Sequence, residues 1–414
     1  MSEPRTPPRL LLLTQYFVPE MGAPQVRLSE LGERLVELGW TVEALTAVPN
    51  YPTGRVFPGY SRWRPRIETV GRIRVARVPM FAAKTGIVKR LLSYGSFVVA
   101  SALLGPALCS PPSIIFVESP PLFVGFSARF LSLAWGAPYV FNVSDLWPES
   151  AIRMGVLRRG VIANLMERFE LSFYRGAAGV TGQTEETVAS IRRRAPGVQT
   201  EVITNGVDPT RFGRHLATGE ARALLGSEPG PVFLYAGLLG WAQGLGQVLD
   251  LARELPEEAP GRFVLVGDGP EREQLAARIK REGLRRVRLL PAQPREAVPA
   301  LLSAADGAII TLGLHLPGAV PSKIYEAMAS ELPILLVATG EAALRVERAG
   351  CGLAVPPGHA GSLRAAYQRL AGDAALRRKL GDAGRRAAEG EYDRAAIARK
   401  LDAFLSRCLG EGAR

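Results

Sequence analysis

Short apolar runs recur along the chain, separated by longer stretches in which apolar residues repeat every three or four positions. Leucines at positions 28, 31, 35 and 38 share one face of a predicted helix that ends at Gly39. The apolar runs predict buried strands at residues 10–17, 41–48, 73–78, 113–117, 139–143 and 202–204, with helices such as 161–174 between them. Strands that alternate with helices indicate a parallel, doubly wound sheet.

A second series of the same kind follows the turn-rich stretch 205–209, which suits a linker. Its apolar runs predict strands at 232–235, 263–266, 287–290, 308–311 and 334–337, and a last helix is predicted near 394–408. The pattern therefore predicts an α/β protein with two Rossmann-like domains, at residues 1–208 and 209–390, and a C-terminal helix within 391–414.

The length and composition agree with two ordinary globular domains. Of 414 residues, 47% are hydrophobic and 22% charged, and the mean hydropathy of +0.09 argues against disordered, collagen-like and coiled-coil proteins. Three cysteines (109, 351 and 408) and three histidines are too scattered for a disulfide framework or a zinc site, so a reducing compartment is expected. Residues 2–8 are polar and the apolar run 10–13 has only strand length, so neither a signal peptide nor export is expected.

The net charge of +12 is informative about binding partners only through its distribution along the chain. Because 45 of the 51 basic residues are arginines, a compositional bias explains much of the total. Residues 51–90, however, contain ten basic side chains against the single acid Glu68. These are Arg55, Arg62, Arg64, Arg66, Arg72, Arg74, Arg77, Lys84, Lys89 and Arg90. Nucleic acid, anionic lipid and a phosphorylated substrate all remain open as partners for such a segment.

The basic segment is followed by 27 residues without a charge, 91–117. Their length permits a membrane span, but Pro106, Pro111 and Pro112 confine a helix to about 91–104. A buried domain helix and a helix that also touches a bilayer surface are the alternatives. Lys89 and Arg90, directly before the apolar run, favour contact with a bilayer surface.

The segment most suggestive of chemistry is 318–329. Ser322 is a predicted N-cap for a helix beginning at Lys323, and unpaired N–H groups at a helix start suit a diphosphate. Lys323 would add a full positive charge, and Glu326 could accept hydrogen bonds from ribose hydroxyls. The alternative is a capped surface helix with an ordinary Lys–Glu pair.

Three other segments lie where predicted strands end. Residues 266–271 read as a glycine-rich turn between a strand and a helix. Residues 12–23 include Gly22, which would allow backbone to approach a phosphate or sugar, but they form no GxGxxG fingerprint, so a nicotinamide cofactor is not indicated. Residues 141–149 place the carboxylates of Asp145 and Glu149 at a strand's end, whereas Trp147 and Pro148 are expected to pack.

The order and spacing of these segments resemble the glycosyltransferases of family 4 over nearly the whole chain. The matching motifs are TQYFVPEMGAPQVRLSELGERL near the start, PNYPTG at 49–54, DLWPES at 145–150, TNGVD at 204–208, AGLLGWAQGL at 236–245, VGDGPE at 266–271 and PSKIYEAMA at 321–329. The resemblance is greatest to the branch that builds capsule, O-antigen and lipopolysaccharide, including transferases of N-acetylated amino sugars such as N-acetylfucosamine.

This resemblance implies the GT-B fold, with two Rossmann-like domains facing across a cleft and the terminal helix packing back on the first. The second domain would bind a UDP-sugar and the first an acceptor, with no metal or other cofactor. The residues implied for the nucleotide-sugar are Gly22, Gly237, Gly240, Gln293, Ser322, Lys323 and Glu326, and those implied for catalysis are Asp145, Lys323 and Glu326. Those assigned to the acceptor or a membrane are Arg27, Arg62, Arg64, Lys89 and Arg90.

The sequence departs from the family's pattern at three places. Ser144 stands before Asp145 where many members have histidine, and Gly318 stands where many have the first of two glutamates. The loop after Gly237 lacks the usual arginine and lysine that bind the diphosphate. Lys323 is therefore expected to matter more here than in relatives that have this basic pair.

The resulting hypothesis is a retaining glycosyltransferase that moves an N-acetylated hexosamine from a UDP-sugar to a polyprenyl-diphosphate-linked glycan. It would work in surface polysaccharide synthesis, peripherally on the cytoplasmic face of the cell membrane, without nucleic acid. The alternatives are a UDP-N-acetylglucosamine 2-epimerase of the same fold and a basic protein that binds anionic lipid or nucleic acid. Nucleic-acid binding would need aromatic residues interleaved with the arginines of 51–90, but most of those present precede Arg64.

Overall fold

The computed structural model describes residues 7–83, 86–226, 228–313 and 317–411, apart from the side chains of Ile87 and Glu411. The chain forms two compact units. Unit 1 comprises the residues up to Asn205 and those from Arg394 onward, and unit 2 comprises Gly206–Asp393.

Unit 1 is built around an eight-stranded sheet of order β3-β4-β2-β1-β5-β6-β7-β8, parallel except for the β3–β4 pair. Its strands are β1 (Arg9–Leu13), β2 (Thr41–Ala47), β3 (Arg66–Val70), β4 (Ile73–Val78), β5 (Ile114–Ser119), β6 (Tyr139–Val143), β7 (Gly179–Gly182) and β8 (Thr200–Val202). Its first helices are α1 (Ala23–Glu37), α2 (Ile87–Leu108), α3 (Val124–Trp135), α4 (Glu149–Arg153), α5 (Val161–Gly176) and α6 (Glu185–Arg194).

Unit 2 has a fully parallel six-stranded sheet of order β11-β10-β9-β12-β13-β14. Its strands are β9 (Val232–Ala236), β10 (Arg262–Val266), β11 (Val287–Leu290), β12 (Gly307–Thr311), β13 (Ile334–Val337) and β14 (Gly352–Val355). Its helices are α7 (Gly219–Leu225), α8 (Gly246–Glu254), α9 (Arg272–Arg281), α10 (Val298–Ala304), α11 (Lys323–Ala329), α12 (Glu341–Ala349), α13 (Ala360–Gly372) and α14 (Ala374–Glu389). This is the 3-2-1-4-5-6 order of a doubly wound sheet, so the predicted fold class of two parallel-sheet α/β units is confirmed.

Helices cover both faces of the unit 1 sheet, which explains its continuous apolar strands. The helices α2, α3, α5 and α6 pack on one face, where Phe97, Leu131 and Phe173 are fully buried. The opposite face packs on α1 and on the last helix, α15 (Arg394–Glu411), through residues such as Leu405. From α15, Asp402 accepts a hydrogen bond from the Trp40 indole N–H at 2.7 Å.

The structure corrects the end of one predicted strand and adds three strands. The first strand ends at Leu13 rather than at residue 17, because the Thr14 hydroxyl donates to the Tyr16 carbonyl at 3.0 Å and the chain turns. The strands β3, β7 and β14 were not predicted: β3 is a largely exposed antiparallel edge, and β7 and β14 are short and contain glycine.

The uncharged stretch forms helix α2, which extends a full turn beyond the predicted end at 104. Pro106 lies inside the last turn and is exposed, and only two residues of the helix follow it. By length and composition, Val88–Leu108 could cross a membrane. Phe97 is nevertheless buried in the core, and the hydroxyls of Ser101 and Ser127 lie 2.8 Å apart, so α2 is a structural helix of unit 1.

Candidate functional site

In unit 2, three loops meet at the carboxyl edge of the sheet, next to the point where the strand order reverses between β9 and β12. Open α/β sheets bind ligands at this position. The loops follow β9, β10 and β12, and the third leads into α11, whose first residue is Lys323.

Lys323 reaches back across the end of β9. Its Nζ lies 5.1 Å from the centre of the Tyr235 ring, within range of a cation–π interaction. A Cβ atom added at Gly237 would lie 2.8 Å from Lys323 Nζ and would overlap Cε, and Gly237 has φ 144°. Glycine at 237 therefore provides the space that the lysine occupies.

Burial lowers the pKa of Lys323 below its usual value, and the negative charge of Glu326 opposes this shift. An ammonium that has already lost much of its hydration interacts more strongly with an incoming anion than a fully hydrated one does. Both side chains are half-buried, so a ligand at this edge can still reach them.

The glycine-rich turn at 266–271, which follows β10, packs directly against the loop that follows β9. Leu239 N–H donates to the Asp268 carbonyl at 2.9 Å, and Glu271 N–H donates to the Leu239 carbonyl at 3.0 Å. Side chains at Gly267 and Gly269 would overlap the carbonyl oxygens of Gly237 and Leu239. These glycines hold the β9 loop, and with it Gly237, in place.

The capping role predicted for Ser322 is wrong. Ser322 has helical backbone angles and its side chain accepts no hydrogen bond from the helix. Instead, the Ile324 N–H donates to the Pro321 carbonyl at 3.1 Å, so the chain enters α11 through a tight turn. The ammonium of Lys323, rather than a capped helix start, is the distinctive feature here.

Two further predicted residues lie on loops at the same edge. Gly240 is buried and its carbonyl accepts from the Gln243 N–H at 3.0 Å. Gln293 lies after β11, where its side chain donates to the Pro291 carbonyl at 3.1 Å. Gly22 belongs to unit 1, where it lies at the N-cap position of α1 in an extended conformation.

Unit 1 has a polar cluster at the carboxyl edge of its own sheet, centred on the buried Glu118 at the end of β5. The Arg27 guanidinium donates to both carboxylate oxygens, at 2.8 and 2.6 Å, and the Asn142 amide donates at 2.7 Å. The Ser144 hydroxyl also donates to Glu118 and accepts from the Gln183 amide at 2.6 Å. Burial raises the pKa of Glu118 despite the positive charge of Arg27.

Asp145 follows this cluster directly in the chain. Its carboxylate reaches solvent, but crowding by surrounding protein atoms and then the negative charge of Glu118 raise its pKa above the usual value. Ser144, where many family members have histidine, anchors the loop that carries Asp145. As predicted, Pro148 is buried and Trp147 packs partly against the core.

Arg27 cannot contact a membrane. Its side chain is 1% exposed and forms an ion pair of 2.6 Å with Glu118. The expected role of Arg27 at the acceptor or a membrane is therefore wrong for the membrane, because Arg27 lies on the face of α1 that packs against the sheet.

Glu20 joins two of the motifs that carry the family resemblance. Its buried carboxylate accepts from the backbone N–H groups of Asn50 at 2.6 Å, Tyr51 at 2.8 Å and Phe17 at 3.1 Å. The loop after β1 and the PNYPTG loop are thus held together by one side chain. Burial raises the pKa of Glu20.

The basic segment 51–90 is less positive in the structure than in the sequence. Arg66 and Arg77 pair with Glu68, Arg72 pairs with Glu33 and Glu37, and Arg74 pairs with Glu43. Arg62, Arg64, Lys89 and Arg90 are exposed, and the Arg62 guanidinium lies 4.4 Å from the Trp63 ring centre. Lys84 lies outside the described residues. Four of the ten basic side chains are therefore paired with acids of the same unit.

Sequence reasoning missed Glu118, Glu20 and Gln183. Glu118 had one available signal, an acid near the end of an otherwise apolar strand. Glu20 lay within a recognised motif, but nothing local indicated that two of its three partners, Asn50 and Tyr51, are about 30 residues away. Among the described residues, no group of three histidine, cysteine, aspartate or glutamate side chains could hold a metal ion.

Two family models match consecutive parts of the chain. Residues 22–206 match the glycosyl transferase 4-like domain, and residues 220–387 match the glycosyl transferases group 1. The two regions correspond to unit 1 and unit 2.

Two curated relatives are similar over most of the chain. The colanic acid biosynthesis glycosyl transferase WcaI of Escherichia coli is 29% identical over 333 residues, which cover 78% of this chain and 81% of the relative. The 2-deoxystreptamine N-acetyl-D-glucosaminyltransferase of Streptomyces fradiae is 26% identical over 412 residues, which cover 95% and 93%.

Two solved structures share the fold. Sucrose-phosphate synthase from Thermosynechococcus elongatus has a TM-score of 0.78 and 21% identity, covering 98% of this chain and 100% of that one. Anabaena HepE, solved with UDP and glucose, has a TM-score of 0.70 and 17% identity, covering 96% and 99%.

Proposed function

Because the chain belongs to the group 1 glycosyltransferases and has the GT-B fold, we propose that it transfers a sugar from a UDP-linked donor to a lipid-linked glycan, with retention of anomeric configuration. The proposed donor sugar is an N-acetylated hexosamine, with N-acetylfucosamine as its narrower form. Support comes from the relatives named for N-acetyl-D-glucosaminyl transfer and for colanic acid biosynthesis, and from HepE, solved with UDP.

The observation that carries the proposal is the position of Lys323 against Gly237 and Tyr235. When the bond between the sugar C1 and the diphosphate breaks, negative charge develops on the departing diphosphate. A preorganised, partly desolvated ammonium stabilises that charge without reorganisation. In this proposal Lys323 performs this role without the arginine and lysine that usually follow Gly237.

The remaining unit 2 residues have supporting roles in the proposal. Glu326 accepts hydrogen bonds from the ribose hydroxyls, and Gln293 lies near the base. Gly237 and Gly240 shape the loop beside the diphosphate, and the backbone at Ser322 borders it. No metal ion is required, because Lys323 supplies the positive charge.

The proposed acceptor site is in unit 1. Asp145 is the polar group offered to the acceptor, and Ser144 and Glu118 fix the loop that carries it. Gly22, at the start of α1, is not an acceptor residue in this proposal; it gives the backbone room to approach the nucleotide-sugar. The acceptor is a polyprenyl-diphosphate-linked glycan, which places the enzyme at the cytoplasmic face of the cell membrane, with exposed Arg62, Arg64, Lys89 and Arg90 available to anionic groups.

The decisive experiment removes the ammonium. Lys323→Ala is expected to lower turnover about 100-fold or more, the size of effect seen when one preorganised charge-stabilising group is lost. Donors are first chosen from UDP-sugars by thermal shift, and turnover is measured as UDP release with a lipid-linked acceptor. Lys280→Ala, which removes an exposed lysine from α9, is the matched control and should leave turnover unchanged.

Near wild-type turnover in the Lys323→Ala variant would exclude this role. Incubation of the wild-type protein with donor alone tests the reaction class. A C2-epimer of the UDP-sugar appearing without acceptor would contradict a transferase and indicate an epimerase.

A further inference from the structure

The helices α2, α3 and α5 lie side by side on one face of the unit 1 sheet, and their outer sides are unusually apolar. Their inner sides pack into the core through Phe97, Leu131 and Phe173. The T-shaped contact of Phe126 with Phe169, with ring centres 5.1 Å apart, joins α3 to α5. The outer sides of the three helices therefore form one continuous surface, called here the outer helix face.

Ten of the 22 large apolar side chains that the described part of the chain exposes lie on the outer helix face. On α2 they follow helical spacing along one stripe, and on α3 they occupy positions i, i+4 and i+7. The exposed fractions are 70% for Val88, 56% for Leu92, 57% for Val99, 67% for Leu103, 41% for Phe126, 47% for Phe130, 84% for Leu133, 84% for Val161, 67% for Ile162 and 47% for Leu165. Contiguous apolar surface of this kind marks an interaction site.

The charges around the outer helix face are almost all positive. Neither α2 nor α3 contains an aspartate or glutamate. The exposed basic residues on or next to the three helices are Lys89, Arg90, Arg129, Arg158, Arg159, Arg168 and Arg175. On α5, Glu170 is buried and paired with Arg194, and Glu167 is half-buried. Apolar side chains bordered by arginine and lysine fit a partner that has an apolar interior beneath negatively charged surface groups.

We propose that the outer helix face docks on a bilayer containing anionic phospholipid, with Leu103, Leu133 and Val161 entering the acyl boundary and the basic residues contacting headgroup phosphates. The proposal rests on the proposed function, because it defines the surface by which the enzyme would reach a lipid-linked acceptor. It differs from the sequence-based expectation, which placed membrane contact on 51–90 and α2 alone.

The structure argues against the two other uses of such a face. A spanning role for α2 would remove Phe97 from the core and break the contact between Ser101 and Ser127. A two-fold pairing of two copies through this face would bring its basic border against the same basic border. Electrostatic repulsion opposes that arrangement and favours an anionic partner.

The test measures binding of the full-length protein to vesicles of phosphatidylcholine with or without phosphatidylglycerol, by flotation. The double variant Leu103→Glu/Leu133→Glu should bind anionic vesicles at least about tenfold more weakly than wild type, because each carboxylate would have to enter the apolar boundary. Leu344→Glu changes a leucine that is 45% exposed on α12 of unit 2, so it serves as the matched control. Circular dichroism and thermal unfolding of the same samples report whether the variants are folded.

A second readout locates the contact. The native cysteines 109, 351 and 408 are all buried, so an introduced surface cysteine can be labelled selectively. An environment-sensitive fluorophore attached after Leu133→Cys should shift to the blue with anionic vesicles, and after Leu344→Cys it should not. Lys323→Ala should bind vesicles like wild type, so failure of the catalytic proposal and failure of this one are distinguishable.

Two results would overturn the docking proposal. One is anionic-vesicle binding by the double glutamate variant equal to that of wild type, with no fluorophore shift at position 133. The other is a wild-type dimer in sedimentation equilibrium that the double variant converts to monomer, which would assign the outer helix face to a second copy of the chain.

Discussion

At the residue scale, the two candidate sites were accessible to sequence reasoning to different degrees. Lys323 could be predicted because it lies within the motif at 321–329, whose residues are neighbours in the sequence. Gly237, which Lys323 contacts, lies 86 positions away in the sequence. The contact forms because β9 and β12 are adjacent in the sheet. Glu118 was missed because its partners come from α1, from β6 and from the loop after β6.

The buried pair of Arg27 and Glu118 gives a residue-scale prediction. Arg27→Met should lower the free energy of unfolding by about 3–5 kcal/mol, because it leaves a buried carboxylate without its counter-charge. The double variant Arg27→Met/Glu118→Gln should recover a large part of that loss, since neither charge then remains buried. Urea unfolding measures both variants. Equal stability of the single and double variants would show that the pair is not coupled.

At the scale of elements, the sequence pattern identified strands whose burial is continuous and missed those that tertiary contacts stabilise. The edge strand β3 is exposed, so it has no apolar run, and it exists because it pairs with β4. Helix α2 is longer than Pro106 suggested, since a proline in a last, exposed turn removes only one hydrogen bond. The amphipathic pattern of the sequence predicted helix α15, whereas only the tertiary structure shows where it packs on unit 1.

The packing of α15 gives an element-scale prediction. Leu405 is fully buried between α15 and the rest of unit 1. Leu405→Ala should therefore lower the free energy of unfolding by about 2–5 kcal/mol. Arg399→Ala, at an exposed position of the same helix, should change it by no more than about 0.5 kcal/mol. Calorimetry of the full chain measures both. A Leu405→Ala effect as small as that of Arg399→Ala would show that α15 does not stabilise unit 1.

At the scale of the whole molecule, the tertiary structure redistributes the charge that the sequence emphasised. Arginines 66, 72, 74 and 77 of the basic segment are paired with acids, so they are not free to attract a partner. Apolar residues that are scattered in sequence gather on the outer helix face. The composition did not exclude lipid or nucleic acid, and for the folded surface we propose lipid.

The charge supplied by Lys323 leads to a prediction about the complete enzyme. Turnover in the presence of EDTA should stay within about twofold of the untreated enzyme, because in the proposed function the Lys323 ammonium, and not a metal ion, neutralises the leaving diphosphate. The assay follows UDP release with and without EDTA, and then with added Mg²⁺ or Mn²⁺. A large loss that either ion restores would contradict the proposal.

The sequence by itself determined the class of fold and the family. The periodicity of buried positions and the local motifs depend on residues that are neighbours in the sequence, so the sequence alone is enough to recognise them. Only the tertiary structure decided what individual charges do. Arg27 is basic in the sequence but lies buried beside Glu118, and Lys323 lies beside Gly237. The reason is physical: the energy of a charge depends on the groups and the solvent around it, and folding brings those groups from distant parts of the chain.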